Sequence, residues 1–556
     1  MKMDNMKKIT FDKADFNQWK ELAVASLRGK SFESLTTMTP EGINLQPLYY
    51  ERTFDSSTIV RSMKRNAGWI IAQQTIASDA ASFLVQLEDS IENGNEAIVY
   101  DGTYPFHWNN DQLLQLSSFI ANYPVFLINV RNDDPILRAF DFVHHEIRKV
   151  VTGIIQVDDW TAPVGYDNIR TAGVDVWKAH HEGADAVTEL AITLSEASRI
   201  ASRYEDFQTF AANFFVRFPI DTHFFMEIAK LRAFRVLWQA FAQAYDVDEP
   251  PFVPVFAVTS LRSFSKLDPY VNLLRTGNET FAAIVGGADI IQAHPHNILT
   301  GPTASSIRYC RNVQLVLKEE TYVEKVLDPA GGSYFIEELT EELVEKSWKL
   351  FLEIESKGGI DRFYESGQLQ GKLEKLQSET ATRKKALIGT NVYAELTQTN
   401  FDDWKGVDRV ARLAEPFEKL RQSFTESQPK TVLLTFGKLK DFKPRADFVT
   451  GFLASGGIRS NWSPPFERVE QAIEWINKEQ PEYVIVCGND EIVTSTMETL
   501  LKQLPVGILL DVAGEIDEET LKKWEQMGLN GLIFNGQNII EKLQHILDSW
   551  QGGLKK

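Results

Sequence analysis

The chain has 556 residues, 43% of them hydrophobic, and a formal net charge of -19. The length predicts more than one domain, and the apolar content suffices for packed cores and excludes a disordered chain. The acidity excludes non-specific attraction to nucleic acid or to an anionic membrane, and no basic patch with interleaved aromatics offsets it.

Met1 to Lys8 is polar and lacks the apolar stretch of a secretory signal. Over an arm at 1–45, Phe16, Trp19, Leu22, Ala23 and Leu27 recur at helical spacing. A short amphipathic helix is marginal alone in water, so this face must dock on the chain's own body or on a partner. Region 46–395 alternates short apolar runs with helical patterns. Strands are predicted at Trp69–Gln74, Ala97–Asp101, Val125–Val130, Gly153–Asp158, Thr171–Trp177, Phe207–Phe215, Phe252–Val258 and Asp289–Ala293. Helices are predicted between and after them, at Ala80–Glu92, Ala186–Arg203, Thr222–Tyr245, Ser305–Glu320, Thr340–Glu355 and Gly371–Lys385. Eight strands with intervening helices point to a (β/α)8 TIM barrel.

A polar, charge-rich stretch at 396–429 reads as a linker. Region 430–556 alternates again, with strands expected at Thr431–Phe436, Ile458–Asn461, Tyr483–Cys487, Gly507–Asp511 and Gly531–Phe534. Helical runs at Ala446–Ser455, Phe466–Asn477, Ile492–Leu504, Glu518–Met527 and Ile539–Trp550 separate them. This pattern predicts a doubly wound, flavodoxin-like sheet. Cys310 and Cys487 fall in different predicted domains, which argues against a disulfide framework and fits a reducing compartment. No run approaches the roughly 18 apolar residues of a membrane span, so a cytoplasmic location without membrane partners is expected.

Five segments carry a resemblance. They are Thr39-Pro40-Glu41-Gly42-Ile43 with Pro47-Leu48-Tyr49; Phe224 to Ala233; Arg311 to Leu317; Asp328-Pro329-Ala330-Gly331-Gly332-Ser333-Tyr334 running on through Thr340; and Ile388-Gly389-Thr390-Asn391. Read from the residues, these are scaffold. Asp-Pro-Ala-Gly-Gly-Ser is turn chemistry, and Glu341-Glu342 would sit in the acidic first turn of a helix beginning near Thr340. In order and spacing the five resemble the methylmalonyl-CoA mutase family over most of the chain.

That resemblance implies an adenosylcobalamin enzyme whose cofactor supplies the radical chemistry, whose barrel holds acyl-CoA, and whose C-terminal domain offers cobalt a histidine in an Asp-x-His-x-x-Gly loop. Here the corresponding positions are Lys440, Phe442 and Arg445. Phenylalanine has no lone pair for cobalt, and the carboxylate and glycine are lost with the histidine. A Ser-Ser-Leu-like loop is replaced by Cys487-Gly488-Asn489-Asp490, where Asp490 adds a negative charge. The family's Tyr-His pair after strand five is Trp177-Lys178, with His180 and His181 nearby. Its Thr-His-x-Gln-Thr-Ser-Gly pattern after strand seven is Ala257-Val258-Thr259-Ser260-Leu261-Arg262-Ser263.

The expectation is therefore a small, non-catalytic mutase subunit with no catalytic, cofactor-binding or metal-binding residue of its own. Its partner would be a homologous large catalytic subunit carrying adenosylcobalamin and the acyl-CoA. Whether the barrel keeps an open channel is left undecided. A different class, a stand-alone metal hydrolase, would use His180-His181-Glu182, His294-Pro295-His296 and Asp158 at the barrel mouth. A third reading, a binding or chaperone protein, would use the C-terminal sheet crevice near Val512-Ala513-Gly514.

Overall fold

The computed structural model describes residues 15–51, 54–64, 66–157, 160–396, 399–406 and 409–554. The arm forms the helix Phe16–Ser26, whose N-terminus is capped by Asp15 accepting from the Gln18 N–H at 2.9 Å. A two-residue hairpin follows, β1 (Thr37–Met38) against β2 (Asn44–Leu45), with Gly42 at φ 72° in its turn.

The next strands are β3 (Ile70–Ile71), β4 (Ile98–Asp101), β5 (Val125–Ile128), β6 (Thr152–Ile155), β7 (Asn168–Arg170), β8 (Ala172–Asp175), β9 (Phe214–Ile220), β10 (Val255–Thr259) and β11 (Ile290–Gln292). All pair in parallel, in the orders β4-β5-β6-β7 and β3-β11-β10-β9-β8. Only Thr171 separates β7 from β8, and a parallel bridge between Gln74 and Val99 joins the end of β3 to β4. Followed strand to strand, the pairings return to their start.

Period-two alternation assigns the strand side chains to two layers. Val125 and Leu127 face the surrounding helices, while Phe126 and Ile128 join an inner cluster with Ala72, Val99, Ile154, Phe215, Phe256 and Ile290. Gly173 on β8 leaves room for the Phe215 ring, which a Cβ there would overlap.

One expected strand is corrected. Phe207–Asn213 is a helix, capped by Asp206, and the strand runs from Phe214 to Ile220. Phe207 and Phe210 pack outward on Trp238, at ring separations of 5.6 and 6.0 Å, which only a helical spacing allows. A second correction concerns the helix expected from Thr340. It starts at Tyr334, so its first-turn acid is Glu337, not Glu341 or Glu342.

That shift matters, because Glu337 belongs to a buried ionic cluster. Arg232, fully buried on the helix Phe224–Gln243, pairs with Asp328, with Glu337 Oε1 at 2.6 Å, and with Ser56 Oγ at 2.6 Å. Ser56 donates its N–H and hydroxyl to Glu337 Oε2 at 2.9 and 2.7 Å, and the Gly332 N–H reaches Oε1 at 3.0 Å. Burial works against the Glu337 charge, but these donors hold the carboxyl below its usual value. Two of the quoted segments are thus clamped by one guanidinium.

The C-terminal region is a second parallel sheet of β12 (Thr431–Thr435), β13 (Ser460–Trp462), β14 (Tyr483–Cys487), β15 (Leu509–Ala513) and β16 (Gly531–Ile533), in the order β13-β12-β14-β15-β16. This is the 2-1-3-4-5 order of doubly wound sheets. Tyr483, Ile485 and Cys487 face one cluster and Val484 and Val486 the other, so both faces are covered. Both cysteines are buried and unpaired.

The stretch expected as a linker contains a helix, Glu415–Glu426. Its Phe417, Leu420 and Phe424 belong to the C-terminal core, as does Leu267 from the first region. Glu418 takes two bonds from Arg412, both at 2.7 Å, and one from the Lys266 N–H at 2.9 Å. Its polar composition concealed an apolar stripe with helical spacing. Among the described residues no helix is long and apolar enough to cross a membrane.

Arg232→Met should destabilise the chain by about 3–5 kcal/mol, because it strands Asp328 and Glu337 without their cation. Urea unfolding followed by tryptophan fluorescence reads this directly; an unchanged midpoint would remove the cluster from its organising role.

Candidate functional site

Enzymes built on parallel strands ringed by helices work at the C-terminal ends of those strands, and open sheets bind ligands at the same ends.

At the rim of the first region, Asp175 ends β8 and pairs with Arg217 of β9 at 2.7 Å. The guanidinium lies 5.3 Å from the Trp177 ring and 5.6 Å from the Phe256 ring. Phe256 in turn packs on Phe126 at 5.5 Å. Trp177, Arg217, Phe256 and Phe126 therefore form a continuous stack from the rim into the interior, with Phe215 beside it in the inner cluster. Trp177 does not extend its strand, as expected from sequence, but opens the short helix Trp177–His181.

Behind this rim lies a buried polar network that sequence reasoning missed. His180 Nδ1 is 2.6 Å from Glu189 Oε1, and His180 Nε2 is 2.7 Å from Ser260 Oγ. Glu189 also takes the Lys230 ammonium at 2.7 Å, and Lys230 reaches Glu227 at 2.5 Å. Arg262 pairs with Asp221 at 2.6 Å and donates to the carbonyls of His180 and Ala184; Ser263 donates to Asp221 at 3.0 Å. The residues that replace the family's polar pattern, Ser260, Arg262 and Ser263, are thus spent on internal bonds. Burial and the nearby Arg262 charge push the His180 imidazole well below its usual range, so its ring is neutral.

Ser260, His180 and Glu189 reproduce the linkage of a hydrolytic triad. The serine hydroxyl, however, accepts the Arg262 N–H at 3.0 Å, and Ser260 and His180 are both 0% exposed. No substrate atom reaches them, so the arrangement is a structural relay.

The histidines considered as metal ligands are not brought together. His181 Nδ1 lies 2.8 Å from the Trp177 carbonyl, and His294 Nδ1 lies 2.8 Å from the Thr259 carbonyl. His296 stacks on Tyr270 and Tyr309. Asp158 lies outside the described residues. Among the described residues no group of three or more His, Cys, Asp and Glu side chains could hold a metal ion.

In the C-terminal sheet, the segment Lys440–Arg445, expected as a loop, is the beginning of the helix Leu439–Ser455. Asp441, at the third helical position, accepts the Lys438 N–H at 2.9 Å and so satisfies a donor at the helix start. Phe442 then points inward. It is 5% exposed, packs in the core with Leu433 and Ile485, and meets the Trp462 ring edge-on at 6.1 Å. Arg445 turns to the strand ends, donates to the Gly488 carbonyl at 2.6 Å and pairs with Asp490. The negative charge expected from Asp490 is therefore neutralised within the chain. Gly514, considered as an approach for a ligand, is covered: a Cβ there would lie 2.9 Å from Arg445 Cζ.

These residues do not fit cobalamin. The position that the resemblance gives to the cobalt ligand is a buried phenyl ring with no lone pair, and Arg445 occupies the strand ends beside it.

A family model described as "Methylmalonyl-CoA mutase" matches residues 144–484, more than half of the chain. The chain belongs to the methylmalonyl-CoA mutase family. It is 26% identical to a protein of Porphyromonas gingivalis named "Methylmalonyl-CoA mutase small subunit", over 96% of both chains. It is 33% identical to the "Probable methylmalonyl-CoA mutase small subunit" of Mycobacterium bovis, over 59% of this chain and 56% of that one. It is also 28% identical to a "Methylmalonyl-CoA mutase" of Cereibacter sphaeroides, over 67% of this chain and 62% of that one. Bulky inward residues on three strands, Phe126, Phe215 and Phe256, were the sequence signal that could have revealed the inner aromatic cluster, below which a cavity of about 710 Å³ lined by Phe126, Ile154 and Ile290 opens at the N-terminal ends of the strands.

Folded His180 resists a proton that the unfolded chain takes up near the ordinary value of 6.5. Its contribution is fully present above that pH and is lost as pH falls below it. His180→Gln should flatten that part of the stability–pH curve, read as urea midpoints, and Ser260 should stay unlabelled by a fluorophosphonate while the chain is folded. Labelling of the native protein would contradict the sealed relay.

Proposed function

We propose that this chain is the small, non-catalytic subunit of an adenosylcobalamin-dependent methylmalonyl-CoA mutase. In this reading a homologous large subunit binds the cofactor and the acyl-CoA and carries the isomerisation to succinyl-CoA. The circuit of parallel strands is read as a (β/α)8 barrel over 46–395 and the C-terminal sheet over 430–556 as a degenerate cobalamin-binding domain. The helix 415–426 fixes one to the other.

The observation that carries the reading is Phe442, a buried core ring where the cobalt-ligating histidine of catalytic members would stand. Three further features support it. Arg445 lies in the crevice at the strand ends, the Trp177–Arg217–Phe256–Phe126 stack runs from the C-terminal rim into the interior, and relatives named as small subunits match the chain. The metal-hydrolase alternative draws no support from the separated histidines.

The test is co-expression with the homologous large chain encoded by the same organism, followed by cobalamin titration and a mutase assay. The chain alone should stay colourless and inactive, and the complex should bind about one cofactor per pair. Cobalamin binding or turnover by the chain alone would overturn the proposal. Phe442→His alone should not give a base-off cobalamin spectrum, since the new imidazole would sit inside a packed helix with no aspartate partner.

The arm supplies a second test. Phe16 stacks on Tyr50 at 4.7 Å and Trp19 meets Phe32 at 6.1 Å, yet no residue of this helix is buried and Leu22 stays 74% exposed. Deleting residues 1–35 should weaken assembly with the large subunit, and unchanged co-elution on gel filtration would assign the arm to the chain's own body.

A further inference from the structure

We propose that the groove between the helices Ala80–Glu92 and Ala304–Glu319 binds a phosphate ester of nucleotide size. The groove lies outside the strand circuit. Ala72 joins the inner cluster, so by strand alternation its neighbour Gln73, which lines the groove, points outward toward the helices. The groove has a volume of about 1090 Å³, and a small-molecule site needs roughly 300–1,000 Å³.

The cations come from one helix and from the segment facing it. Arg308 and Arg311 project from the first two turns of Ala304–Glu319, and Lys405 lies across the opening. Among the described residues none of the three has a carboxylate within 4.0 Å. In a chain of net charge -19, three cations on one groove are unexpected. The one acidic side chain lining it is Asp89, whose Oδ1 accepts from Asn93 at 3.3 Å.

The independent observation is a pair of buried polar atoms without partners, Arg311 Nε and Thr75 Oγ1. Arg311 is 4% exposed; its Nη1 donates to Gln73 Oε1 at 3.0 Å, but its Nε has no partner. Thr75, 6% exposed and lining the same groove, leaves its hydroxyl unpaired. Burial pushes the Arg311 guanidinium down and Asp89 offsets this only in part, so an incoming anion stabilises the charge further. The helix adds to this. Thr303 caps the Ser306 N–H, while the N–H groups of Ala304 and Ser305, at the mouth of the groove, have no intrahelical acceptor. A phosphate there meets oriented N–H groups, the positive end of the helix dipole and two guanidinium groups.

The other wall is aromatic. Tyr104, Phe106 and Trp404 line it, and Trp404 is held by its N–H on the Leu299 carbonyl at 3.0 Å. These rings suit a flat heterocycle, which is why the ligand class is a nucleotide and not free phosphate. The inference stands apart from the subunit reading, because the groove shares no residue with the barrel axis or the C-terminal crevice.

The experiment is isothermal titration of the full chain with ADP, without metal, at physiological salt. One saturable site is expected, with adenosine far weaker than ADP. Arg308→Glu and Lys405→Glu change exposed side chains, so folding is preserved, and each should weaken ADP by about tenfold or more. No saturable binding, equal affinity for adenosine, or ADP affinity unchanged in both variants would each overturn the proposal.

Discussion

The structure depends on how a single buried guanidinium is satisfied. Arg232 is fully buried and so must be neutralised where it stands. The two carboxylates that do so, Asp328 and Glu337, come from a turn and from the first turn of the next helix. Ser56 closes the cluster from the other end of the first region. Three stretches distant in sequence are thereby held to one point. The Gly-Gly turn is part of the same device, since Gly332 donates its N–H to Glu337. These segments carry the family resemblance, and their chemistry here is that of a scaffold.

Around that scaffold, aromatic and ionic packing occupies the inner strand positions and the C-terminal sheet ends. In the interior, Phe126, Phe215 and Phe256 cluster between the strands, and Arg217 links Phe256 to Trp177 at the rim. Each buried phenyl ring contributes about 1.5–3 kcal/mol relative to exposure, so this cluster stabilises the fold. The C-terminal sheet repeats the pattern, with Phe442 in the core and Arg445 paired to Asp490 over Gly514. Substitutions that look like separate losses in sequence are mutual compensations in space. Arg445 neutralises Asp490, and Ser260 meets His180.

Much of the element structure was legible because local signals and packing agreed. Ala80–Glu92 follows an aspartate cap and has a clean apolar stripe, and sequence and structure coincide there. Tyr483–Cys487 is a continuous apolar run buried on both faces, the mark of a central parallel strand. The misread segments share a cause. Phe207–Phe215 is apolar throughout, so neither period stood out, and only its packing on Trp238 decides for helix. The 396–429 stretch was judged by charge, although Phe417, Leu420 and Phe424 are spaced for one helical face. At Lys440–Arg445 the family pattern implied a loop, while Asp441 supplied the local helix start that the fold uses.

The sequence by itself determined the parallel α/β class, the scaffold segments and the absence of an imidazole at position 442, because these depend on local periodicity and on what a side chain can donate. Only the tertiary structure decided what replaced the missing chemistry. That Arg445 lies against Gly488, that Ser260 is sealed against His180, and that Arg311 is buried beside a groove lined by several cations and one carboxylate, Asp89, are relations between residues tens to hundreds of positions apart. Burial and charge compensation are properties of such neighbourhoods, and no single stretch of the chain encodes them.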